Sequence, residues 1–441
     1  MMTRDQARKL AERVLSFARF PECSVRLSES EEAHVRFANN GITTAGFTTD
    51  RSVVVTSTKE GRSGSSRTTQ ADDASLEAAV RRSEELAAVT PPNPEHVPPL
   101  GPQEYPEISD YDEGTARARS PQMIPHIAAI VGEAQKAKLV AAGFFETSHS
   151  VTAIANKNGL FGFERSTDAR LSATCRTGDG TSSGWAGLPA LRISEIDGAA
   201  VSRRAIEKCL SWKNPERLEP GAYTVVLEPT AVNDLLGRLG FALDARAAEE
   251  GRSFLSKKGG GTHAGEKLFP EIVTLRSDPF DPRLPASPWS GEALPSRRTN
   301  WIEKGVVRNL VCSRYWAAKT GKEPVPFSGS LVMEGGEESL EDLIRGAERA
   351  LLVTRFWYIR VVNPQTLQLT GLTRDGLFLI ENGKITRPVM NLRFNESPVR
   401  LMQNVQKLGR AVRARGAEGA SMLAPPMVAA NFTFTSVSDA V

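Results

Sequence analysis

The sequence predicts an α+β fold, with a helix–antiparallel β-meander–helix N-terminal half and a mixed, sheet-rich C-terminal half. Three observations predict it. The apolar spacing switches from helical to alternating between Ala18 and Cys23, then returns to helical near Leu76. A continuous apolar strand, Ala222 to Leu227, runs directly into a helical pattern at Pro229. The last third holds long β-branched and aromatic runs joined at turn dipeptides such as Asn382-Gly383.

Thr3 and Gln6 form a capping-box pair, and Ala7, Leu10, Ala11, Val14, Leu15 and Ala18 follow at helical spacing. The strings SVRLSES, AHVRFANN, ITTAGFTT and SVVVTST read as an antiparallel meander. A second helix carries Leu76, Ala79, Val80 and Leu86 on one face. Seven prolines fall between residues 90 and 106, which marks a surface linker or extended excursion. Ser120 and Pro121 read as N-cap and first residue of a third helix, with Pro125 moving its start a turn later. Residues 138–176 return to strands with a turn at Asn158-Gly159, and a helix over 195–211 ends this half.

Pro215 and Pro220 mark a boundary, giving two domains, 1–215 and 216–441. In the second, the pattern predicts a helix of about twenty residues over 229–248. The long loops KKGGGTHAG and SDPFDPRLPASP follow. A helix capped by Ser339 carries Leu340, Leu343, Ile344 and Leu351, and strands at LLVTRFWYIRVV, LQLTGLT and GLFLIENGKITRPV come after it.

Hydrophobic residues make up 40% of the chain and charged residues 24%, with a net charge of +3, a balance typical of a soluble globular protein. So small a charge gives no reason to expect nucleic acid or an anionic membrane as partner. Cys23, Cys175, Cys209 and Cys312 are far apart, so they form no CxxC pair and read as reduced thiols. No run approaches the ~18 apolar residues of a membrane span. The charged first helix is unlike a signal peptide, and a cytoplasmic location is expected.

Several strings tempt a chemical reading. Gly180-Thr181-Ser182-Ser183-Gly184 fits GxSxG, but Gly187 and Pro189 oppose the helix a nucleophile elbow requires. The histidines, His34, His96, His126, His149 and His263, include no pair within a helical turn. Gly259, Gly260 and Gly261 lack the Gly-Lys-Ser/Thr ending of a phosphate loop and read as a mobile loop. Arg400, Lys407, Arg410, Arg413 and Arg415 lie beside Leu401, Val405, Leu408 and Val412. Without interleaved aromatics they read as a solvated helix face or a contact with an acidic partner.

The order of elements, together with IANKNGLFGFERST, GDGTSSGWAG, the VVLEP strand, RRTNWIEKGVVRNLVCSRYWAAKTG and GLFLIENGKITRPV, resembles the TldD/PmbA family of zinc metallopeptidases over nearly the whole chain. In the TldD branch of that family the helix after the VVLEP-like strand carries His-Glu-x-x-x-His, and a cysteine near the C-terminus completes the zinc site. Five residues on an ideal helix turn by about 140° beyond a full circle, so such a pair needs a kink, which a glycine permits. Carried onto this chain, the helix reads Asn233, Asp234, Leu235, Leu236, Gly237, Arg238, and the cysteine position falls near Arg415. Guanidinium offers a metal no lone pair and repels a dication. The resemblance to the PmbA (TldE) branch, which also lacks the ligands, implies a chain without catalytic or metal residues of its own. It implies a TldD-type partner carrying the zinc, in a heterodimer, or else a homodimer. The implied role is to hold an extended peptide against a sheet edge near 178–187 or 371–376. Two other readings stay open: a self-sufficient metallopeptidase using His263 or Asp234, and a regulatory protein of gyrase-modulator type.

Overall fold

The computed structural model of the chain describes residues 1–108, 110–416 and 419–438. Its N-terminal half is built on one antiparallel sheet of six long strands: β1 (Glu22–Ala38), β2 (Gly41–Lys59), β3 (Arg62–Thr68), β4 (Leu139–Asn156), β5 (Phe161–Thr177) and β6 (Ser183–Ala190), in the order β3-β2-β1-β4-β5-β6. The two runs of strands that read separately in sequence are one sheet, because β1 pairs with β4 from Ser24↔Asn156 to Phe37↔Gly143. Strand alternation puts Val25, Leu27, Val35 and Phe37 of β1 on a single buried face. Four helices cover that face. α1 (Arg4–Ser16) and α2 (Asp73–Val89) meet it through Ala7, Ala11, Val14, Leu76 and Val80. Past the one-turn α3 (Glu113–Ala116), α4 (Ser120–Lys136) and α5 (Gly198–Ser211) bury Met123, Ile127, Ile130, Val201 and Ala205. The capping box at Thr3 and Gln6 is present.

α4 differs from its expected start. Arg119 is the N-cap, and Pro125 lies inside the helix. The proline removes one helical hydrogen bond, but Met123, Ile127 and Ile130 are buried to 1% exposure or less and hold the helix through it.

The C-terminal half starts with β7 (Gly221–Leu227), and here the expected helix over 229–248 is broken. The chain makes α6 (Pro229–Leu236), α7 (Leu239–Ala242) and α8 (Ala245–Glu249) instead. Gly237 caps α6, and Asp244 caps α8 through its side chain. β8 (Leu275–Ser277), β9 (Thr299–Glu303), β10 (Val306–Val307) and β11 (Val332–Met333) form a small sheet with two later strands. α9 (Arg314–Thr320) and α10 (Leu340–Arg345) follow. α10 is shorter than its pattern, since Leu351 belongs to the strand β12 (Arg349–Asn363) and not to the helix. β13 (Gln368–Glu381), β14 (Lys384–Pro388), β15 (Leu392–Glu396), α11 (Pro398–Gln403), β16 (Val405–Leu408), β17 (Val412–Ala414), β18 (Met422–Ala424) and β19 (Met427–Val437) complete the chain.

The larger sheet runs β12-β7-β19-β15-β13-β14, and β12 also pairs with β13, so five strands close into a ring. Phe356, Phe394, Phe432 and Phe434 fill it, with ring centroids 4.8 to 5.7 Å apart. The basic segment 397–416 is therefore a short helix and two strands rather than one amphipathic helix. Val405 and Val412, β-branched, pair with β19 and β18. Asn382-Gly383 turns with both residues at positive φ, as a two-residue hairpin demands.

The proline-rich segment is a strap joining the two halves. Tyr105 packs its ring at a tilt against Trp289, centroids 5.1 Å apart, and its hydroxyl donates to Ala293 O at 2.8 Å. Glu95 takes both terminal nitrogens of Arg246, and Arg314 donates to Pro98 O. Among the described residues, no helix is long and apolar enough to cross a membrane.

Candidate functional site

β7 stops at Leu227 while its parallel neighbour β12 runs on to Asn363, so backbone groups of β12 beyond Val353 lose their strand partner. α6 occupies that gap. The Asp234 carboxylate accepts the Phe356 N–H at 2.9 Å, taking the place of a strand carbonyl. Asn233 faces the other way. Its Oδ1 accepts the Gly416 N–H at 2.7 Å and its Nδ2 donates to Ala420 O at 3.2 Å. Both side chains are at most 4% exposed. Both are interior residues bonded to backbone. Gly416 lies so close that a Cβ there would meet Asp234 Oδ1 at 2.0 Å.

The four positions carried over from the resemblance are only partly assembled. α6 ends at Leu236, so Arg238 lies beyond the helix, as N-cap of α7. Arg415 directly precedes Gly416, but its ion pair is with Asp168 of β5, Nη1 to Oδ2 at 3.6 Å, and not with Asp234. Arg413 joins it, donating from Nη2 to Asp168 Oδ1 at 2.6 Å. The Asp168 carboxyl is raised above the usual range because burial outweighs the pull of the two arginines. Nearby Asp110 is pushed up to about 7, again by burial against the pull of Arg413. Among the described residues, no group of three or more His, Cys, Asp or Glu side chains converges as a ligand set.

The remaining candidates have structural places. His263 bonds within its own loop, Nδ1 to Glu266 Oε2 at 2.6 Å and N–H to Leu255 O. Ser182, the nucleophile position of the GxSxG string, donates to the Cys209 carbonyl, and Ser183 donates to the buried Asp375 carboxylate, so Ser182 faces a backbone carbonyl and not a histidine. Of the two expected peptide edges, 371–376 lies in β13, which pairs with β12, β14 and β15 and offers no edge. β6 is an edge strand. Lys208 reaches its Trp185 carbonyl at 3.4 Å and Pro189 has no N–H, so the edge is partly blunted.

Sequence reasoning missed the polar junction between the halves. Asp375, fully buried, accepts from Ser183 Oγ and Arg355 Nε, both at 2.9 Å, and Arg355 lies 4.6 Å over the Trp185 ring. Glu228, at the end of β7, takes Lys208 at 2.7 Å and Arg204 at 3.3 Å. Burial lowers the Lys208 amine, and Glu228 opposes that. The local signal was charge inside largely buried strands, Arg355 in β12 and Asp375 in β13, which marks residues needing partners without naming them.

Three family models match the chain: PmbA/TldA metallopeptidase domain 1 over residues 23–87, the central domain over 98–211, and the C-terminal domain over 220–436. A metalloprotease of Methanothermobacter thermautotrophicus is 23% identical over 243 residues, 52% of each chain. The chain spans about half the length of the curated relatives it matches. In fold it is similar to TldE from Thermococcus kodakarensis, with TM-score 0.86 and 20% identity over 97% of this chain and 99% of that one. It is also similar to a Thermotoga maritima protein described as a candidate modulator of a DNA gyrase, with TM-score 0.84 and 19% identity over 97% and 100% of the two chains. With all three domain models in sequential order along it, the chain belongs to the PmbA/TldD metallopeptidase family.

Proposed function

We propose that this chain is the non-metallated, TldE-like subunit of a cytosolic metallopeptidase system acting on unfolded or small peptides, with the zinc held by a TldD-type homologue. The observation that carries this reading is the commitment of the α6 donors. Asn233 is bonded to two backbone groups, Asp234 to a third, and Gly416 closes on both. The cation at Arg415 supports it further, since a guanidinium beside the site opposes a dication. The residues present do not fit zinc, which takes thiolate, imidazole and carboxylate donors in a tetrahedral set.

The test is elemental analysis of the purified chain, then a peptidase assay of the chain alone and mixed with a metal-bearing homologue. Substoichiometric zinc, no cleavage alone and chelator-sensitive cleavage in the mixture are expected. Stoichiometric zinc with cleavage by the chain alone overturns the reading. The description of the Thermotoga maritima relative favours a second, regulatory reading. It requires salt-dependent DNA binding, and a negative gel shift at low salt removes it.

A further inference from the structure

We propose that the cleft between the 284–291 loop, the 327–330 loop and the strand end at Arg413–Arg415 binds a carboxylate of a peptide, with Arg413 as its anchor. The peptide as ligand rests on the functional reading above; the anion site rests on the following geometry. The cleft is open and offers about 460 Å³, within the range of small-ligand sites. Arg413 lines it with Asp168 and Arg415. The Arg413 guanidinium has donors on three nitrogens, and the chain satisfies one of them. Nη2 bonds Asp168, while Nε and Nη1 are buried and meet no acceptor among the described residues. A buried charged donor without an acceptor is costly, and a guanidinium cannot escape the cost by losing its proton.

The neighbouring acids do not neutralise the pair of arginines. Arg415 Nη1 stands 3.6 Å from Asp168 Oδ2, too far for a good hydrogen bond. Asp110, pushed up to about 7 by burial, is uncharged in much of its population at neutral pH. Arg413 and Arg415 both pair with the single carboxylate of Asp168. Trp289 and Phe327 give the cleft apolar walls, and Ser287, Gly291 and Gly329 leave room between them for an extended chain end. Planar, two-pronged donation from guanidinium suits a carboxylate. Ala420, which lines the cleft, also accepts from Asn233. A chain end held here thus lies beside α6 and its Asn233.

The experiment is calorimetric titration of the full chain with penta-alanine bearing a free C-terminal carboxylate, with its C-terminal amide, with an amidated alanine peptide containing one glutamate, and with inorganic phosphate. The free acid or the glutamate peptide is expected to bind roughly tenfold to a hundredfold more tightly than the alanine amide, as for one charge-assisted contact. Arg413→Gln should erase that difference. Gly291→Phe, at an open position on the rim, should weaken all peptides while leaving Arg413 in place. Acid and amide binding alike, or neither binding, overturns the proposal. So does phosphate binding as tightly as the peptide acids, which assigns the cleft to any small anion. The titration needs neither partner nor metal. Preferential binding of the acid without coupled proteolysis keeps the site and removes the partner reading. Coupled proteolysis with acid and amide binding alike does the reverse.

Discussion

The backbone N–H of Gly416 donates to Oδ1 of Asn233 at 2.7 Å, joining the segment after β17 to the helix after β7 across 183 residues of sequence. Against the same glycine lies Asp234, whose second oxygen holds the Phe356 N–H of β12. A helix, a strand and a loop from three parts of the chain are thus fastened at two adjacent side chains.

Substitutions at this fastening should be costly in a graded way. Gly416→Ala places a methyl 2.0 Å from Asp234 Oδ1 and is expected to lose about 1–3 kcal/mol through the forced shift. Asp234→Ala strands the buried Phe356 N–H and should lose about as much, while Asp234→Asn keeps an acceptor and should lose less. Urea midpoints of the three variants give the order. An Asp234→Ala variant as stable as the parent contradicts it.

Asp110 should make stability fall as pH rises. Its folded carboxyl is raised from 3.8 to about 7, so the folded state binds the proton more tightly than the unfolded state. The favourable contribution is complete below about pH 4 and is lost as pH climbs toward 7. Asp110→Asn removes this slope. The variant should gain on the parent between pH 5 and pH 8 by an amount on the order of 1–3 kcal/mol, read from chemical unfolding at both pH values. Parallel pH profiles for the two proteins would refute this.

Removing the Asp375 side chain should loosen the two halves from each other. Asp375→Ala leaves Arg355 buried without its carboxylate and Ser183 without its acceptor. Breaking such a buried pair costs about 3–5 kcal/mol. Limited proteolysis should then cut between α5 and β7, near Pro215 to Pro220, faster than in the parent. Unchanged cleavage kinetics would place the coupling elsewhere.

The proline strap should be latched by Tyr105. Tyr105→Phe loses only the bond to Ala293 O and should cost about 1 kcal/mol, whereas Tyr105→Ala also loses the ring contact with Trp289. Hydrogen exchange over residues 98–108 should rise modestly in the first variant and strongly in the second. Equal protection in both would mean the prolines alone hold the strap.

Much of the fold was legible. The capping box at Thr3, the switch of period at Cys23 and the turn at Asn382-Gly383 are local signals, and each stands in the structure. The breaks were less legible. Nothing in the apolar spacing from Val232 to Leu243 separates one helix from two, because the division is made by what Leu239 and Leu243 pack against. Leu351 fits a helical face as well as a strand, and its pairing with Val225 and Leu379 decides between them.

For the site, the sequence by itself determined which atoms are present: an amide at 233, a carboxylate at 234, a guanidinium at 238 and another at 415. Their chemistry as donors follows from residue type alone. Only the tertiary structure decided their partners. Asn233 and Asp234 became interior fasteners because β7 ends one strand-length before β12 does. Arg415 turned to Asp168, a residue of the other half, because folding brings β17 against the sheet of β5 and β6. Which atoms a side chain can donate or accept with is a property of its residue type, whereas its partner and its protonation are set by contacts between residues far apart in sequence, which no local pattern records.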